Sequence, residues 1–370
     1  MPQYSVAMLR TLEYEYTPHT VDNRPTAAAA LLERRHVQVL ADLNELKRKG
    51  WSEESLHGHF SRQRNIADRP NHQTEKFWFG MMKKGMEELD AATGILSSNH
   101  RGQLHFLDVC CAPGGFSSYV LGRKPLARGV GISLPVSSGG HGFKLEPYFR
   151  SRYDLIEKDI LEYDHALHDL SDSPARFPET MAQRFDLVIV DGHALRTYLA
   201  PFPYEPSADD LESAHHSYRG RLIISQLIIA LEAVRPGGTI VMRLSHIESF
   251  PATPILYLLD MLSDTLVVHK PRSMHAYRAT FYVVAKGVAP ARVAGQQAHY
   301  LAGLRRLWAE LSCGGSSGRG RQMVHGDLDF IVTTSQILDS YVDRLVELGR
   351  EVWQTQLDAL RTFLERKGIR

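Results

Sequence analysis

Three aspartates stand where apolar runs give way to small or turn-forming residues: Asp108 in "LHFLDVCCAPGGF", Asp159 in "IEKDILE" and Asp191 in "FDLVIVDG". A carboxylate at such a point can cap a loop, accept from an exocyclic amine, or face a cationic substrate. Finding several at matching strand ends favours function over capping. After Asp108 the residues Cys110, Ala112, Pro113, Gly114, Gly115 and Phe116 make a short turn-forming stretch before an amphipathic run. Adjacent glycines let a backbone approach a ligand without a Cβ in the way. The free N–H groups of the following helix favour a carboxylate or phosphate. No GxGxxG spacing is present, and the next strand, "RGVGIS", ends without the acidic residue that a dinucleotide ribose needs.

Other groups could take part. His193 lies just beyond Asp191 and is either a base or an ordinary polar loop residue. The segment "HKPRSMHAYR" carries His269, Lys270, Arg272, His275 and Arg278 within ten residues, enough to receive a phosphate backbone or to form a solvated loop. Cys110 and Cys111 have no His or Cys partner at metal spacing, so they read as packing residues and no metal is expected. Three cysteines in all make no disulfide framework, which points to a reducing, intracellular setting, cytoplasm or nucleus.

These groups need a scaffold. The runs "HFLDVC", "RGVGIS", "YDLIEKDI", "FDLVIVD", "GGTIVMRL", "LVVHKP" and "TFYVVAKG" read as strands, with apolar helices such as "GRLIISQLIIALEAVR" between several of them. Such alternation predicts an α/β, mostly parallel, doubly wound sheet with helices on both faces, its ligand beyond the carboxyl ends of the strands. The last two strands lack a helix-length connection, which predicts one antiparallel strand. Residues 25–50 read as a packing helix, and "HGHFSRQRNIADRPNHQTEK" as a polar loop. Toward the end, Leu338, Tyr341, Leu345, Leu348, Val352, Leu357, Leu360 and Phe363 recur at helical spacing. That stripe packs on its own domain or forms a homodimer seam.

Composition narrows the class. Among 370 residues, 43% are hydrophobic and 23% charged, ordinary for a globular protein, and no apolar run is long enough to span a membrane. A formal net charge of +1 argues against a bulk nucleic-acid binder and leaves RNA contact to a local basic patch.

The blocks "FLDVCCAPGGFSSYVLGRKPLARGVGISL", "FDLVIVDG", "SQLIIALEAVRPGGTIVMRL" and "HKPRSMHAYRATFYVVAKG" together resemble the FtsJ/RrmJ-type, S-adenosylmethionine-dependent RNA 2′-O-methyltransferases, above all their eukaryotic cap-methylating branch. The resemblance covers roughly residues 76–288. It implies a Rossmann-like class I methyltransferase domain over 76–290, with helical extensions over 1–75 and 291–370. It also implies that Ala112 to Phe116, with Asp108 and Cys110, wrap the methionine part of S-adenosylmethionine, that Asp159 and Ile160 read its adenine, and that Asp191 lies near the sulfonium. Lys270, Arg272 and Arg278 are then the candidate substrate contacts.

The family's Lys–Asp–Lys–Glu tetrad is largely absent. Gly80 stands at the first lysine position, Asp191 is kept, Arg243 replaces the second lysine, and Thr280 replaces the glutamate. Arg243 keeps a charge but cannot act as a base, and Lys83, one helical turn beyond Gly80, could share its face. Two readings stay open: a methyltransferase that activates its acceptor differently, on RNA or on another substrate, and an S-adenosylmethionine-binding scaffold without transfer activity.

Overall fold

The structure, a computed structural model, describes residues 37–97, 103–166, 176–198, 208–289, 293–315 and 320–369. All seven expected strands form one sheet: β1 (His105–Val109), β2 (Arg128–Ser133), β3 (Tyr153–Glu157), β4 (Phe185–Val190), β5 (Val234–Ser245), β6 (Thr265–His269) and β7 (Thr280–Val288). Their order is β3-β2-β1-β4-β5-β7-β6. The pairs from β3 to β5 are parallel, and β7 runs antiparallel to both β5 and β6. The expected antiparallel strand is thus β7, inserted between β5 and β6.

Period-two side-chain alternation splits the strands between two cores. Leu107, Val188, Val190, Ile240, Met242 and Val283 face one side, and Phe106, Leu187, Ile189, Val241, Tyr282 and Val284 the other. The described helices are α1 (Gln38–Ser52), α2 (Glu54–Asp68), α3 (His72–Thr93), α4 (Gly115–Arg123), α5 (Ala208–Ala233), α6 (Ala252–Leu262), α7 (Ala294–Cys313) and α8 (Val342–Arg366). Helices α5, α6, α7, α8 and α1 cover the first face, while α3 and α4 cover the second. Each large apolar side chain fully buried this way contributes about 1.5–3 kcal/mol. Among the described residues no helix is long and apolar enough to cross a membrane.

One expectation is corrected, and one open choice is narrowed. The stretch read as a polar loop is α2 and the start of α3: Asn71 caps α3 by accepting from the Thr74 N–H at 2.8 Å. Helix α2 carries little apolar periodicity, being anchored chiefly by Leu56 and Phe60 against Leu364 and Phe363, and so gave no helical signal. Of the predicted helix over 25–50, residues 25–36 lie outside the described residues. The C-terminal stripe is not free for a partner copy: Leu345, Leu348, Val352, Trp353 and Leu357 are buried in the same core as Leu40 and Leu43 of α1. The stripe packs on its own domain, the first of the two readings given for it.

The glycine pair answers to packing. Gly114 caps α4 with φ of 102°, and a Cβ there would sit 2.8 Å from the Phe143 ring. A Cβ at Gly115 would sit 2.5 Å from the Phe79 carbonyl oxygen and 2.8 Å from the Lys83 nitrogen. Both are backbone atoms of α3, which cannot give way cheaply. Gly115→Ala is expected to cost about 2–3 kcal/mol through this overpacking, read as a lowered urea midpoint at unchanged slope; an unchanged midpoint would show that α3 and α4 do not approach so closely.

Candidate active site

The carboxyl ends of β1, β3, β4 and β5 bring Asp108, Asp159, Asp191 and Arg243 to one edge of the sheet, and the antiparallel start of β7 joins them there because Arg243 pairs with Tyr282 and Ser245 with Thr280. Three non-glycine residues of this edge adopt positive φ: Cys110 at 61°, His246 at 54° and His275 at 60°. Left-handed backbone at side-chain-bearing residues is strained, and such strain clusters at functional sites.

Asp108 is 1% exposed. Its Oδ2 accepts from the Ser117 hydroxyl at 2.5 Å, and its buried Oδ1 has no partner. Burial pushes its carboxyl up to about 7, with the nearby Asp191 adding to the rise and Ser117 opposing it. Cys110 beside it has a thiol raised first by burial and then by Asp191, so it is inert as a nucleophile. Asp159 accepts from the Leu161 N–H at 2.9 Å through Oδ1 and from the Tyr198 hydroxyl at 2.7 Å through Oδ2. Ile160 is buried beside it.

Asp191 and Arg243 lie together at the ends of β4 and β5. Asp191 Oδ1 accepts from the Tyr282 hydroxyl at 2.8 Å and lies 3.9 Å from Arg243 Nη1. Burial raises the Asp191 carboxyl, against the pull of Arg243 and Tyr282. Arg243 Nη1 stands 2.9 Å from His193 Nδ1. A guanidinium only donates, so Nδ1 is the acceptor and a neutral His193 carries its proton on Nε2. Lost hydration of its ring, then the positive charges of Arg243, His141 and Arg278, hold the His193 imidazole well below the usual range. In this tautomer His193 presents a hydrogen-bond donor from Nε2.

The remaining expected groups divide. Lys83 pairs with Glu146 at 3.0 Å rather than with Asp191, so the shared face with Gly80 does not deliver an amine to the site. Gly80 is exposed, and a Cβ there would meet nothing within 4 Å. Lys270 is corrected outright: it is 1% exposed, and its ammonium donates to the carbonyls of Arg278 and Thr280. It is a buried brace of the β6–β7 hairpin, out of reach of a phosphate. Arg272 presents its main-chain N–H to Glu88 of α3 at 2.6 Å, its own side chain exposed. Of the three basic candidates, Arg278 depresses both His193 and His275, while Lys270 depresses His275 alone.

Several functional groups escaped the sequence reading. Gln226 of α5 accepts from the Gly192 N–H at 2.7 Å and donates back to the Gly192 carbonyl at 3.3 Å, fixing the loop that carries Asp191 and His193. In the sequence Gln226 is the glutamine of "SQLIIALEAVR". Tyr282 and Tyr198 gave no signal, because each reaches its carboxylate across the fold. Trp78 lies edge-on to His141 with ring centroids 5.5 Å apart, placing an aromatic from α3 beside a histidine of the same cleft.

A family profile described as FtsJ-like methyltransferase matches residues 84–288. This chain belongs to that family. S-adenosylmethionine is the cofactor of its members. Among similar proteins are the cap-specific mRNA (nucleoside-2′-O-)-methyltransferase 1 of Danio rerio, 29% identical over 54% of this chain and 24% of that protein, and its Bos taurus counterpart, 30% identical over 50% and 21%. A Caenorhabditis briggsae protein named inactive cap-specific mRNA (nucleoside-2′-O-)-methyltransferase 1B is 27% identical over 56% of this chain and 23% of its own. The FtsJ-like chain therefore spans about a quarter of the length of these relatives. A solved putative ribosomal RNA methyltransferase from Plasmodium falciparum aligns over 56% of this chain and 97% of its own, at 17% identity and a TM-score of 0.37.

The residues present fit the family's cofactor in kind. The unpartnered Oδ1 of Asp108 is a buried acceptor suited to an ammonium, and Asp159 and Asp191 add two further carboxylates along the same strand ends.

Proposed function

We propose that this chain is an S-adenosylmethionine-dependent methyltransferase acting on a ribose 2′-hydroxyl of RNA. The observation that carries the reading is the convergence of Asp191, Arg243 and His193 at the ends of β4 and β5. Asp108, Cys110, Ala112, Pro113, Gly114, Gly115 and Phe116 would hold the amino-acid end of the cofactor, and Asp159 with Ile160 the base. When bound, the cofactor supplies an electrophilic methyl group.

The chain's own residues handle the acceptor. Arg243, always protonated, stabilises the oxygen as it gains negative charge. Asp191 is the group positioned to take the hydroxyl proton, and its raised pKa makes it a stronger base than an ordinary carboxylate. His193 donates from Nε2, and Arg278 adds positive charge for a phosphate. An RNA acceptor places the protein in the nucleus or cytoplasm.

A second reading, cofactor binding without transfer, is favoured by one observation: among the described residues no lysine serves Asp191, since Lys83 is held by Glu146 and Lys270 by carbonyls. Transfer of tritiated methyl groups to capped and uncapped RNA separates the two. Incorporation by the wild type, lowered at least about a hundredfold in Asp191→Ala, supports transfer. Calorimetric binding of the cofactor without incorporation into any RNA selects the second reading, and no binding at millimolar cofactor removes both.

A further inference from the structure

We infer that Tyr198 is a latch on the cofactor site, engaging the adenine-reading carboxylate of Asp159 so that Tyr198 docking and cofactor binding exclude each other; this rests on the cofactor reading above. Asp159 has two oxygens, and Oδ1 is committed to the Leu161 N–H. Oδ2 is the one left for a ligand, and it accepts from the Tyr198 hydroxyl at 2.7 Å. A phenol O–H is the same kind of donor as the exocyclic amine of adenine. The Tyr198 ring is fixed by stacking on Tyr218, centroids 4.2 Å apart and planes 11° from parallel. A ring held this way keeps its hydroxyl on the oxygen that the base would use.

The latch is continuous with a strap over the rest of the cleft. Thr197, the neighbour of Tyr198, donates from its hydroxyl to the Gly139 carbonyl at 2.9 Å. The two backbones are so close that a Cβ on Gly139 would sit 1.9 Å from the Thr197 oxygen. The strand β2 loop that carries Gly139 continues to Phe143, which covers Gly114 and stacks on Tyr153 at 5.4 Å and 15°. The Lys144 N–H closes the same loop onto the Pro113 carbonyl at 2.9 Å. Loops after β1, β2 and β4 are thereby tied to each other across the cofactor groove, and the hydroxyl of Tyr198 is their bond to the carboxylate after β3.

A site whose competent form is only partly populated binds with its affinity reduced by that fraction. Removing the latch therefore tightens binding, the reverse of what loss of a pocket residue does. Tyr198→Phe keeps the ring on Tyr218 and deletes the bond to a charged acceptor, and is expected to bind S-adenosylhomocysteine roughly tenfold more tightly by calorimetry. Tyr198→Ala, which also frees the ring volume, is expected to bind at least as tightly as Tyr198→Phe. In wild-type protein carrying 13Cζ-labelled tyrosine, saturating S-adenosylhomocysteine is expected to shift the Tyr198 resonance. Equal or weaker binding by both variants, or a Tyr198 signal unmoved at saturation, overturns the latch and leaves the cofactor reading standing. Absence of binding in the wild type and both variants, with all three folded, overturns the cofactor reading and the latch with it.

Discussion

Arg243→Ala is expected to lower methyl transfer to RNA by roughly a hundred- to a thousandfold while leaving cofactor affinity near that of the wild type. The side chain serves two neighbours at once: its Nη1 is 2.9 Å from His193 Nδ1 and 3.9 Å from Asp191 Oδ1. Removing it takes away the positive charge beside the developing alkoxide, and it releases the constraint that keeps His193 in the Nε2–H tautomer. Arg243→Lys separates these contributions. A lysine keeps the charge and, unlike arginine, can lose its proton, so the Lys variant is expected to retain activity and to gain a basic limb in its pH–rate profile. Loss of cofactor binding in Arg243→Ala, measured by calorimetry, would instead place Arg243 on the cofactor side of the cleft.

Asp108→Asn is expected to stabilise the protein at pH 8 by roughly 2–4 kcal/mol and to weaken cofactor binding severely. The Asp108 carboxyl is buried and raised to about 7, against about 3.9 in an unfolded chain. Between these values the folded state holds a proton that the unfolded state has lost, so stability falls as the pH rises from about 4 to about 7 and stays low above it. A difference of about three pKa units corresponds to roughly 4 kcal/mol as an upper bound. Asparagine keeps an acceptor for Ser117 and carries no charge to desolvate. Thermal unfolding of the variant across that pH range is expected to lose the downward slope; a slope of wild-type size would assign it to another raised carboxylate, Asp191 being the nearest candidate. A side chain that costs stability in the free protein and supplies an unpartnered acceptor is the pattern of a group kept for its ligand.

The strands are legible because each is a short apolar run ending at a polar residue, and the same strand ends carry Asp108, Asp159 and Asp191. What failed depended on partners distant in the chain. Lys270 belongs to a basic cluster in sequence, but its ammonium is turned inward to carbonyls eight and ten residues away across a hairpin. Gly114 and Gly115 read as a place where a ligand comes close, and the atoms that come close to them here belong to Phe143 and α3. Tyr198 lies 39 residues from Asp159 and Tyr282 lies 91 from Asp191; no local pattern marks either hydroxyl. Helix α2 was missed because its anchors are few and its partners lie at the other end of the chain.

The loop after β5 carries one more contact of consequence. Glu248, five residues beyond Arg243, is 7% exposed and accepts from the Trp353 indole N–H of α8 at 3.0 Å, with the Nδ1 of His246 3.8 Å away. His246 itself holds a left-handed backbone. The matched family region ends at 288, so a protein trimmed to that region loses Trp353 and leaves a buried carboxylate short of a donor, a deficit of about 1–3 kcal/mol or more for a charged group. The last helix thereby braces the loop after β5 from outside the matched region, so the matched region and the unit that folds as one have different bounds.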